Sequence, residues 1–115
     1  MSCLKLRIAG IVAALAVIAA IGIAWFVLAP YVIIQNYSFT PKELTIKMGT
    51  TVTWINIDLY VHTVRSGTPD KISDEFDSGD MGIMGIYRHT FAKPGVYEYH
   101  CQPHPYMLGK IIVEA

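Results

Sequence analysis

Twelve residues near the C-terminus constrain this chain more than any other stretch: Val96-Tyr97-Glu98-Tyr99-His100-Cys101-Gln102-Pro103-His104-Pro105-Tyr106-Met107. The first part alternates in the manner of a half-buried strand and runs into a short loop in which prolines flank a histidine. That loop presents a thiol, an imidazole and a thioether at C-x2-H-x2-M spacing. Cys101 and Met107 could each be ordinary core residues, since both types pack well inside proteins. Read together with His104, they are soft metal donors. A thiolate and imidazoles in one plane, with a weak axial thioether, form a set that suits copper passing between Cu(I) and Cu(II). Such a set needs a second imidazole.

That imidazole has to come from a distant segment reaching the same end of the fold, and the stretch from Val52 to Val64 supplies His62. Three motifs then stand in order: W-x-N-x-D-x3-H-T-V from Trp54, F-D-S-G from Phe76, and H-T-F-x2-P-G-x-Y-x-Y-x-C-x-P-H-P-Y-M from His89. Together they resemble the cupredoxins, over residues 31–115. The short C-x-P-H-P-[aromatic]-M loop is most similar to that of the amicyanins, with plastocyanins as longer-looped relatives. The resemblance implies a Greek-key β-sandwich in which His62, Cys101, His104 and Met107 hold one copper ion. It implies a single-electron carrier rather than an enzyme. His62 is then buried, while His104 shows a ring edge to redox partner proteins through an apolar collar. Pro103, Pro105, Tyr106, Met81, Met84, Leu59 and Tyr60 are the collar candidates. Two departures stand out: Thr63 follows the first histidine where these proteins usually carry Asn, and no strand precedes the one after the N-terminal apolar run.

The loop has reasons of its own for its prolines. Pro103 and Pro105 fix φ on either side of His104 and remove two backbone donors, so the ligand geometry is set before metal arrives. Asn56 and Asp58 are candidates for bracing the segment before His62 through side chain to backbone bonds, or for plain turn chemistry. His100 neighbours Cys101 on an alternating strand and points to the opposite face, which argues against ligation. His89 reads as a surface or rim residue.

The chain has 115 residues and a formal charge of zero, which allows one domain and a further short segment. Residues 8–29, from Ile8 to Ala29, carry no charge or strongly polar side chain. At about 1.5 Å per residue such a helix spans the ~30 Å hydrocarbon core of a bilayer. A secretory signal peptide is the alternative, but its apolar region usually has only about 7–15 residues. The longer run, with Pro30 directly after Ala29, points to an uncleaved transmembrane helix within residues 1–30. Lys5 and Arg7 precede it and no basic residue follows until Lys42, so the C-terminal domain is expected outside the cell membrane, periplasmic or extracellular.

Without Lys5 and Arg7, 7 basic side chains face 9 acidic ones, and no basic patch exists for nucleic acid. Cys3 and Cys101 are the two cysteines and flank the apolar run. They are not expected to pair, and Cys101 is then either reactive or metal-bound.

Residues 31–115 read as short strands between turns: 32–36, 43–47, 51–56, 62–66, 76–78, 87–91, 95–100 and 110–114. That spacing predicts an all-β sandwich, with Trp54, Phe39, Phe91, Tyr97 and Tyr99 supplying large rings. Residues 67–80 read as a polar crossing loop. Its acidic run, Asp74, Glu75, Asp77 and Asp80, is a solvated loop or a field that steers a basic partner. An enzyme would need an open coordination position or further metal centres, and neither is indicated. A copper-delivery protein remains the alternative to an electron carrier.

Overall fold

The computed structural model describes residues 30–115. The membrane anchor expected at residues 8–29 lies outside the described residues. Among the described residues there is no helix. Nine strands follow one another: β1 (Tyr31–Gln35), β2 (Ser38–Thr40), β3 (Glu43–Lys47), β4 (Thr50–Asn56), β5 (Arg65–Thr68), β6 (Lys71–Asp77), β7 (Ile86–Phe91), β8 (Gly95–His100) and β9 (Leu108–Glu114). They form two sheets, β2-β1-β4-β7 and β3-β9-β8-β5-β6, so the predicted all-β sandwich is present.

Alternation along the strands decides what faces inward. Val32 and Ile34 on β1, Val52 and Trp54 on β4, and Ile111 and Val113 on β9 are buried, while Ile33 and Ile112 between them are only half-buried on the other face. β1 and β4 run parallel, with Val32 opposite Trp54. Trp54 meets Tyr99 of the other sheet edge to face, ring centres 5.5 Å apart, and Tyr99 meets Phe39 at 4.7 Å. Each such side chain contributes roughly 1.5–3 kcal/mol on full burial. Tyr97 is only partly buried at the edge of this cluster. Tyr99 lies opposite Gly109 across the β8–β9 ladder, and a Cβ on Gly109 would run into the Tyr99 ring.

Two expectations are corrected. The strand placed at 62–66 starts only at Arg65. His62 makes a single bridge to Met81, through N–H to O contacts of 3.1 and 2.9 Å. The next amides leave the ladder for side chains: Thr63 N–H points at Cys101 Sγ, 3.3 Å away, and Val64 N–H at Ser78 Oγ, 2.7 Å away. The loop placed at 67–80 is largely strand, since β5 turns at Pro69-Asp70 and pairs with β6. A bulge at Gly67, φ +87°, makes this hairpin fit, and a Cβ there would strike the backbone of Lys71 and Ser73.

Four connections gather at one end of the sandwich: the β1–β2 turn, residues 57–64, residues 78–85 and the loop 101–107. The β1–β2 turn is two residues long, Asn36 and Tyr37, at φ 53° and 56°. That is the positive-φ pair of a tight hairpin. For a residue with a Cβ such a conformation costs roughly 1–2 kcal/mol, so this turn needs something to hold it.

Candidate metal centre

Cys101 leaves β8 with its thiol fully buried. The loop it opens is closed at its base, because Cys101 N–H donates to Met107 O at 3.1 Å and Met107 N–H to His104 O at 2.9 Å. This closure turns His104 back toward the thiol. His104 Nδ1 lies 3.5 Å from Cys101 Sγ and His62 Nδ1 3.7 Å from it. One donor atom from each of the three residues lies within 4.8 Å of the others. Donors about 3.5 Å apart are what an ion bound at about 2.0–2.3 Å by nitrogen and thiolate leaves around itself, so the residues fit a metal. Met107, 2% exposed, lies buried at the base of the same loop.

The structure braces these donors from several sides. Thr63 N–H points at the sulfur, and Thr63 Oγ1 accepts the Gln102 N–H at 2.8 Å. Thr63 therefore ties the two ligand-bearing segments together, at the position where the resemblance expects Asn. Asn56 is fully buried. It accepts the Asp58 N–H at 2.9 Å and donates to the carbonyls of Tyr60 at 2.9 Å and Met81 at 2.8 Å.

Asp58 does more than brace a turn. Its Oδ2 lies 2.7 Å from His62 Nε2, an acceptor placed for a proton on that nitrogen, the arrangement that leaves Nδ1 to ligate. Its carboxylate also accepts the N–H groups of Asn36 at 2.8 Å and Tyr37 at 3.1 Å. Partial burial works against the charge, but these two amides and the His62 imidazole outweigh it and hold the carboxyl below its usual range.

The rim is aromatic and apolar. Leu59, Tyr60, Met84 and Tyr106 are exposed as the collar requires, and Pro103 and Pro105 are exposed beside the half-buried His104. Met81 is the exception at 4% exposure: its backbone pairs with His62, which draws it into the core. Tyr37 is a rim residue that sequence reasoning missed. Its ring meets His104 edge-on at 5.0 Å, His62 edge-on at 5.6 Å and Tyr60 at 5.2 Å. His100 stays outside the donor group, buried, with Nδ1 2.8 Å from Gly67 O. His89 is not a free surface residue: its ring packs on Phe76 and Phe91 at 4.8 and 4.7 Å. The acidic run is partly committed, because Arg65 pairs with Asp74 at 2.7 Å and Asp77 at 2.6 Å.

The description "copper binding proteins, plastocyanin/azurin family" matches residues 31–114. This chain is a cupredoxin. Its metal is copper, and His62, Cys101 and His104 are the group able to hold it. The cupredoxin is 36% identical over 91 residues to amicyanin of Paracoccus denitrificans, covering 70% of this chain and 62% of that one. It is 38% identical over 81 residues to amicyanin of Paracoccus versutus, covering 70% and 61%. The matches thus span less than two thirds of those relatives. Among solved structures, the purple cupredoxin from Nitrosopumilus maritimus superposes with a TM-score of 0.69 at 33% identity, covering 73% of this chain and 98% of that one. A Cu(I) form of an amicyanin variant gives 0.67 at 37%, covering 75% and 82%.

Proposed function

We propose that this cupredoxin carries single electrons between redox partner proteins on the outer face of a membrane, through one copper ion held by His62, Cys101, His104 and Met107. The observation that carries the reading is the meeting of His62 Nδ1, Cys101 Sγ and His104 Nδ1 within 4.8 Å at one end of the sandwich. A copper ion held by these residues would supply one-electron chemistry, as Cu(I)/Cu(II). The protein's part is to keep the donors in place. The sulfurs of Cys101 and Met107 favour Cu(I), and the imidazoles serve both oxidation states. Loop closure at Met107, the prolines around His104, the Thr63 tie and the Asp58 bond leave the side chains little room to rearrange.

The exposed rim of Leu59, Tyr60, Met84 and Tyr106 around the half-buried His104 suits brief docking, since weak redox encounters bury less than about 1,200 Å². The apolar run at residues 8–29, with Lys5 and Arg7 ahead of it, supports a tether that leaves this domain outside. Added Cu(II) is expected to give the purified chain intense visible absorption from the thiolate, and Cys101→Ser to abolish it. A colourless complex in the unaltered chain would replace the electron carrier with copper delivery.

A further inference from the structure

Two oxygens of Asp58 serve three partners. Two are the amides of Asn36 and Tyr37, at 2.8 and 3.1 Å, and both belong to the positive-φ turn between β1 and β2. The third is His62 Nε2, at 2.7 Å. The turn carries Tyr37, whose ring stands edge-on to His104, the imidazole that Asp58 does not touch, with centres 5.0 Å apart and planes at 82°. One carboxylate is therefore joined to His62 directly and to His104 through a ring that also stands edge-on to His62, centres 5.6 Å apart.

We infer that Asp58 is a positioning residue for the whole imidazole pair: it fixes His62 directly and His104 through the turn that seats Tyr37 against it. The inference rests on the copper reading above. On the His62 route, a carboxylate accepting the Nε2 proton makes Nδ1 a better donor, and its charge favours Cu(II) over Cu(I). On the His104 route, the turn keeps its positive φ values because two amides point into one carboxylate. The Tyr37 ring then limits how the half-buried imidazole can rotate.

The test compares Asp58→Asn and Tyr37→Ala in the full chain at one pH. Asn keeps the size of Asp58 but sets an NH2 donor against groups that are themselves donors. In the metal-free chain, imidazole 15N NMR is expected to find the His62 proton on Nε2 and, in Asp58→Asn, moved to Nδ1. Cu(II) affinity should fall about 10–100-fold, the usual effect of losing a partner to a ligand histidine. Cu(I) affinity should fall less, and each tenfold difference raises the one-electron potential by about 59 mV. Tyr37→Ala should leave the His62 proton in place while changing the His104 resonances, and the double variant should disturb His104 no more than Tyr37→Ala alone.

An Asp58→Asn protein with unchanged His62 tautomer and unchanged potential overturns the inference. So does a Tyr37→Ala protein with unchanged His104 resonances. If Asp58→Asn does not fold, the wild-type tautomer and Tyr37→Ala still decide, because a wild-type His62 proton on Nδ1 refutes the first route. A wild-type chain that shows no thiolate colour with copper sinks the copper reading instead, and the metal-free NMR measurements separate the two failures.

Discussion

His62 and His104 aim the same atom, Nδ1, at the same sulfur from 3.7 and 3.5 Å, yet opposite means hold them there. His62 has no exposed surface; its backbone bridges to Met81 and its far nitrogen is bonded to a carboxylate. His104 is half-buried on a loop of mostly exposed residues, with prolines on both sides and tyrosine rings against it. The first imidazole is part of how the sandwich end folds. The second is part of a lip that solvent reaches. One donor set thus combines a structural anchor with an accessible contact, and damage to each should appear in a different measurement.

The largest test of that contrast removes each ring in the metal-free chain. His62→Ala opens a cavity and strips Asp58 of its imidazole, for an expected loss of about 2–4 kcal/mol, whereas His104→Ala should cost under about 1 kcal/mol. Denaturant unfolding measures both, and equal losses would erase the distinction between anchor and lip. A smaller effect tests whether the sandwich interior is separate from the site. Gly109→Ala pushes a methyl into the Tyr99 ring, with an expected cost of about 1–3 kcal/mol from overpacking. The melting temperature should fall while the absorption of the copper-loaded protein stays the same. A changed spectrum would mean that core and site are one unit.

The smallest effect concerns the far edge of the second sheet. The Gly79 N–H and then the Arg65 guanidinium hold the Asp77 carboxyl below its ordinary value, against some desolvation. A carboxyl with a lowered folded pKa contributes stability that is complete above its unfolded value near 3.9 and is lost as the pH falls through the folded one. Asp77 is 40% exposed, so solvent screening keeps this below about 1 kcal/mol. Asp77→Asn should flatten the acid limb of the stability curve below about pH 5 and leave the neutral region nearly unchanged, in a urea titration repeated across pH. An unaltered acid limb would shift the acid sensitivity to Asp58, and so to the anchor side of the site.

Cys101 and His104 were legible from the spacing of one loop, whereas their meeting with His62, 39 positions before Cys101, was legible through the resemblance to the cupredoxins. Thr63 was legible only as a departure from the usual Asn, and the bond it accepts from Gln102 N–H reveals the tie. Tyr37 was not legible. Residues 32–36 read as an apolar run, while the structure ends β1 at Gln35 and turns at Asn36 and Tyr37. Asn is at home in such a turn, but a tyrosine beside it is explained only by Asp58, 21 positions away in sequence. Only the end of β6 was read, in the strand expected at 76–78, for a related reason. Only Phe76 of its seven residues is buried, so no alternation marks Lys71–Asp77 as a strand. Its pairing rests instead on the bulge at Gly67 and the bonds from Arg65 to Asp74 and Asp77.

The bond from Cys101 N–H to Met107 O works as a clasp. It closes the loop directly above the last ladder pair of β8 and β9, His100 and Leu108. The fold is thereby divided into a handle of paired strands and a mostly exposed tip that carries His104.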